Sequence, residues 1–123
     1  MNGPTKLLVI GVGSIGERHV RTFQQTGRVR ISIFDVDQDL ARSVARKYDV
    51  DDVYSDLNGA IAGRPDAAVI ATPAHLHISL ACTLADAGAH LLIEKPLSTS
   101  CDGIDRLAEA SKEKQLVAAV AYV

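Results

Sequence analysis

The 123-residue sequence has no tryptophan and only two Phe and three Tyr. A surface that reads single-stranded nucleic acid stacks bases on aromatic side chains, so that class of function lacks its main tool. An excess of either charge is missing too. Thirteen Lys and Arg stand against fifteen Asp and Glu, a formal net charge of −2, and no basic run forms a stripe for a polyphosphate backbone. No nucleic-acid partner is expected. Cysteine is limited to Cys82 and Cys101, which have neither metal-ligand spacing nor the density of a disulfide scaffold. Both read as reduced thiols, and no bound metal is expected. No apolar run is long enough to span a bilayer, and Leu7–Ile10 is too short and too early for a signal peptide. The expectation is a cytoplasmic protein with no membrane partner.

What is present is an alternation of two periodicities. Apolar runs of strand length occur at Lys6–Ile10, Arg30–Phe34, Ala67–Ala71, His90–Ile93 and Val117–Val120, with a weaker one at Val53–Tyr54. Helix-period faces lie between them: Ile15, His19, Val20 and Phe23; Leu40, Val44, Ala45 and Tyr48; Leu76, Leu80, Leu84 and Ala87; Ile104, Leu107, Ala108 and Ser111. Gly27, Gly63 and Gly88 each follow a helical segment, where a left-handed C-terminal cap favours glycine. Strands apolar on both faces that alternate with helices predict an α/β fold, a doubly wound parallel sheet of about six strands. Right-handed crossovers suggest the order 3-2-1-4-5-6, with helices on both faces. Residues 1–123 read as one domain, and as the first domain of a longer protein.

"VIGVGSIGERH" puts Gly11, Gly13 and Gly16 after the first strand and at the start of the first helix. Gly11 allows the tight turn, Gly13 lets the backbone approach a pyrophosphate, and Gly16 lets the helix pack on the sheet. The helix start, with Val12, Ser14 and Ile15, offers N–H groups and the positive end of the helix dipole. A lone G-x-G-x-x-G is weak, but a strand before it, a helix after it and an acid ending the second strand are the context that confirms it. That acid is Asp35, nineteen residues past Gly16. It suits the adenosine ribose hydroxyls and repels a 2′-phosphate, favouring NAD. The alternative is that Asp35 only shapes a turn or caps the next helix, a task Asp37 or Asp39 could also perform. Arg42 and Arg46 keep NADP possible. A methyltransferase shares the first glycines and the acid but does not need the third glycine.

The fourth strand ends "AVIATPAHLH" and the fifth "LLIEKPLS". In a parallel sheet both ends reach the ligand-binding rim. Ala71, Thr72 and Pro73 are expected beside the nicotinamide-side ribose, and Glu94, Lys95 and Pro96 beside the ring. Either X-Pro bond there is a candidate for a cis peptide. The bland alternative makes Lys95 a surface lysine paired with Glu94. His19 and His90 read as ordinary packed or surface residues. His75 and His77 point different ways from a helix start, which argues against a two-histidine metal site.

GVGSIGERH, an Asp-ended second strand, ATPAHLH and EKPLS, in this order, resemble the N-terminal half of the Gfo/Idh/MocA oxidoreductases over essentially the whole chain. The resemblance implies a nicotinamide-dependent dehydrogenase acting on a sugar, cyclitol or related polyol. It gives Lys95 a substrate-binding and catalytic role and His77 a place at the cofactor site. Ala74 stands where the family often has asparagine. The resemblance further implies a C-terminal substrate and oligomerisation domain, absent from these residues, a homo-oligomer in the full-length protein, and little turnover by this chain alone. A stand-alone nucleotide-sensing or assembly module is the alternative of a different class.

Overall fold

β1 (Thr5–Ile10) carries four consecutive aliphatics, Leu7 to Ile10, none more than 4% exposed. Side chains alternate across a strand, so a strand buried at every position must be covered on both faces. The computed structural model, which describes residues 3–121, shows that cover. β1 lies between β2 (Val29–Phe34) and β4 (Ala67–Ile70). β3 (Asp52–Tyr54) pairs outside β2, and β5 (His90–Glu94) and β6 (Ala118–Ala121) extend the sheet beyond β4. Every pairing is parallel and the order is 3-2-1-4-5-6, as expected. Ile10 stands level with Phe34 and Ile70, and Ile70 with Ile93, so four strands end together on one rim.

Helices α1 (Ser14–Gln25) and α2 (Gln38–Tyr48) cover one face, where Val20, Ala41, Val44 and Ala45 pack on Leu7, Val9, Ile31, Ile33 and Val69. Helices α3 (Leu57–Ala62), α4 (His77–Asp86) and α5 (Ile104–Glu113) cover the other, over Leu8, Ile10, Ile70, Leu91 and Ile93. Leu8 is fully buried, and truncating such a residue to Ala costs about 2–5 kcal/mol.

Three local expectations need correction. Gly63 ends α3 with φ −69°, outside the left-handed region, which Arg64 adopts instead at +55°. A side chain at 63 would have to displace the Tyr54 hydroxyl, which occupies the place a Cβ would take. Gly27 and Gly88 do take positive φ, at +67° and +88°. On α4 the buried set is His77, Ile78, Ala81, Cys82, Leu84 and Ala85, whereas Leu76 and Ala87 are exposed. Leu76 belongs to the 3-10 turn ahead of the helix and Ala87 is its C-cap, so neither lies on the face that packs on the sheet. β6 is not covered as an inner strand is, since Ala118 and Ala119 are both exposed. α3, only six residues long, shows no usable period in the sequence; it is started by Asp56, whose carboxylate accepts the Gly59 N–H at 2.6 Å.

Candidate cofactor site

Two of the three glycines after β1 are required by the protein itself. Gly11 has φ +86°, and a Cβ there would lie 2.7 Å from the Ala71 carbonyl oxygen. Gly16 sits against the Gly11 carbonyl oxygen, which any Cβ would overlap. Gly13 differs. Its φ of −65° and ψ of −165° suit any residue, and a Cβ would meet nothing within 4 Å. Folding leaves space over Gly13, as close approach by a ligand requires. Gly13 is also the N-cap of α1, and no side chain caps that helix. The N–H groups of the first turn, around Ser14 and Ile15, therefore lack a side-chain acceptor, and the positive end of the helix dipole faces the rim. Such a helix start suits an anion.

Asp35 lies one residue past β2. Its Oδ2 accepts the Val12 N–H and its Oδ1 the Asp37 N–H, both at 2.8 Å. It therefore shapes the turn, while the capping of α2 falls to Asp37, which accepts the Leu40 N–H at 3.1 Å. A carboxylate has about four lone-pair sites, so both Asp35 oxygens keep capacity for ribose hydroxyls. The Val12 expectation changes: its N–H is taken by Asp35 and its side chain is 1% exposed, which leaves it no group for a phosphate. Arg42 donates to Asp39 at 2.7 Å, so part of the positive charge that would welcome a 2′-phosphate is already countered.

These turns frame a cleft of about 490 Å³ at the carboxyl ends of β1, β2 and β4. Gly11 and Gly13 line it, with Asp35 on one side and Ala71, Thr72 and Pro73 on the other. Its remaining walls include Val36 and Leu40, and opposite them Leu57, Leu76, Ser79 and Leu80. Val36 is 89% exposed and Leu76 40%, apolar surface suited to the faces of a flat heterocycle. Sequence reasoning missed the wall residues of α3 and α4. The available signal was Leu76 and Leu80, in the 3-10 turn and on α4, beyond the leucine that the buried face of α4 uses. A dinucleotide fits this chemistry: an uncapped helix start and open glycine for the pyrophosphate, a carboxylate for a ribose and an apolar slot for a base.

The EKP segment continues the rim at the end of β5. Glu94 is 7% exposed and does not pair with Lys95; its Oε1 takes His19 Nε2 at 2.5 Å. The expectation that Glu94 reaches the cofactor is corrected accordingly, since its carboxylate is buried against α1. Lys95 is exposed and, among the described residues, is in no salt bridge. The Lys95–Pro96 bond is cis. His77 is 1% exposed, with Nδ1 2.8 Å from the Pro96 carbonyl oxygen and Nε2 2.8 Å from that of Thr72. Both ring nitrogens face backbone carbonyls, so His77 bridges the two turns of the rim. His75 is exposed, as its different direction required, and His90 accepts the Val117 N–H at 2.9 Å.

The family model described as "Oxidoreductase family, NAD-binding Rossmann fold", Gfo/Idh/MocA, matches residues 5–122. The chain belongs to this family. An inositol 2-dehydrogenase/D-chiro-inositol 3-dehydrogenase of Shouchella clausii is 38% identical over 106 residues, covering 83% of this chain and 31% of that protein. A levoglucosan dehydrogenase of Pseudarthrobacter phenanthrenivorans is 36% identical, covering 76% and 24%. The solved structure of GenD2 from gentamicin A biosynthesis, in complex with NAD, superposes with a TM-score of 0.89 at 29% identity, covering 98% of this chain and 35% of that one. The chain thus spans about a third or less of the length of these relatives. As a Gfo/Idh/MocA Rossmann domain it is an NAD-binding oxidoreductase domain.

Proposed function

We propose that this chain is the cofactor-binding part of an NAD-dependent dehydrogenase of a cyclitol, sugar or related polyol, and that Lys95 is its catalytic residue. The observation behind the reading is the Lys95 ammonium at the end of β5. It is exposed and free of any described ion pair, on the same rim as the glycine turn and Asp35. The nicotinamide ring, when bound, supplies the hydride acceptor or donor. The protein then has to hold the substrate carbinol in register and manage the hydroxyl proton. Lys95 does this at the substrate oxygen, taking up the hydroxyl proton as the amine and returning it as the ammonium in the reverse direction. Gly13 and the first turn of α1 anchor the phosphates, and Asp35 takes the ribose hydroxyls of the adenosine half. The inositol dehydrogenases among the relatives support the substrate class. A substrate wall from residues beyond this chain, and a homo-oligomer, belong to the same proposal.

The test uses the protein expressed from its whole reading frame, assayed by nicotinamide absorbance with NAD and myo-inositol, related cyclitols and sugars. Lys95→Ala should lower turnover by roughly two to four decades, the usual contribution of a positioned proton-transfer group. Its stability should stay within about 1 kcal/mol of wild type, as for an exposed side chain. Undiminished turnover removes Lys95 from the chemistry. NAD binding without turnover of any polyol would favour a nucleotide-sensing module.

A further inference from the structure

Lys95 is an exposed residue in a turn, yet both of its neighbours are gripped by histidines from other parts of the chain. On its N-terminal side, the buried Glu94 carboxylate meets His19 Nε2 at 2.5 Å. On its C-terminal side, the Pro96 carbonyl meets His77 Nδ1 at 2.8 Å. Proline has no N–H, so that carbonyl is the only backbone hydrogen-bonding group Pro96 has. The two histidines come from elements that carry the cofactor cleft. His19 is on α1, the helix that begins at the Gly13 turn. The other nitrogen of His77 reaches the Thr72 carbonyl at 2.8 Å, in the turn lining the cleft.

We propose that His19 and His77 are positioning residues that hold Lys95 in register with the bound cofactor. This rests on the reading of Lys95 as the catalytic residue. A reacting group displaced by roughly 1 Å can lose about a hundredfold in rate, and an ungripped loop lysine is free to move by that much. His19 ties the lysine's strand end to the helix that anchors the pyrophosphate. His77 ties its turn to the loop beside the cofactor. Neither histidine touches the reacting atoms. Each acts through the residue next to Lys95, from the opposite side. A carbonyl oxygen only accepts, so both contacts of His77 are hydrogen bonds only when both of its ring nitrogens carry protons.

Two measurements test the clamp. In this chain, the backbone amides of Lys95 and Leu97 should show order parameters of about 0.85, matching β5, by nitrogen-15 relaxation. In His19→Leu or His77→Leu they should fall below about 0.6, while amides in β1 and β4 keep their values. His19→Gln, which retains a donor in place of Nε2, should restore them. Wild-type amides that are already mobile, or variant amides that stay rigid, overturn the proposal. If His77→Leu does not fold, His19→Leu with its Gln rescue decides. In the whole protein, each Leu variant should lower kcat by about tenfold to a hundredfold with an unchanged KM for NAD. In a Lys95→Ala background the same changes should cost nothing further, because they act through the lysine. An equal further loss there overturns the positioning role. Full turnover by Lys95→Ala alone strikes the reading of Lys95 itself, and the relaxation measurement still decides whether the clamp exists.

Discussion

Replacing Gly13 and Gly16 in turn by alanine separates what the fold needs from what the ligand needs. At Gly16 the new methyl overlaps the Gly11 carbonyl oxygen, a backbone atom that cannot rotate away. Helix α1 must shift, and overpacking of this kind costs about 1–3 kcal/mol. For a chain of this length each kcal/mol moves the melting temperature by about 4 °C, so Tm should fall by about 4–12 °C. At Gly13 the methyl meets nothing within 4 Å and φ is −65°. Alanine there restricts the unfolded chain, a gain of about 0.4–1 kcal/mol, but it also replaces a glycine N-cap, which ranks well above alanine, so Tm should stay within about 4 °C of wild type. The same methyl stands where a phosphate must approach the start of α1. Loss of one charge-assisted hydrogen bond is worth about 1.5–3 kcal/mol, about ten- to 150-fold in NAD affinity. Thermal melts by circular dichroism and titration calorimetry with NAD read the two effects separately. A Gly13→Ala protein that folds and binds NAD like wild type refutes the assignment of that space to the pyrophosphate. One whose Tm falls as far as that of Gly16→Ala refutes the steric reasoning.

Asp35→Asn leaves one oxygen where two now accept backbone N–H groups, so the Val12 or the Asp37 N–H loses its partner. Stability should fall by about 1–3 kcal/mol, NAD affinity should drop, and the NAD-to-NADP preference should narrow; an unchanged melting point and ratio would place Asp35 outside both roles. The two thiols should also separate. Burial, the main cause, raises the Cys82 pKa, so at a given pH less of it is the reactive thiolate, whereas Cys101 is exposed. A disulfide reagent at mildly alkaline pH should titrate Cys101 first and Cys82 only on unfolding, and equal rates would contradict that.

Much of this was legible in the residues because it is local. Four buried aliphatics in β1 announce a central strand, and the alternation of strands with helices leaves few topologies once crossovers are right-handed. The glycine turn and Asp35 declare themselves by spacing. The clamp around Lys95 does not, because His19 and Glu94 are 75 residues apart and meet only when the chain folds. His77 is similar. Its place after TP suggested a ligand contact, but the 3-10 turn Ala74–Leu76 ahead of α4 leaves its ring buried between two carbonyls. Gly63 was read for handedness when the deciding fact was a tyrosine hydroxyl from β3, which only packing reveals. The apolar walls of the cleft were hidden for a related reason: Leu57, Leu76 and Leu80 look like core residues until the helices are placed.

The most direct test of the site as a whole is titration calorimetry of the wild-type chain with NAD and NADP side by side. With Asp35 on the ribose side of the cleft and Arg42 engaged by Asp39, NAD should bind and NADP should bind at least about tenfold more weakly, the equivalent of about 1.4 kcal/mol. NADP binding as tightly as NAD, or no binding of either, would contradict it.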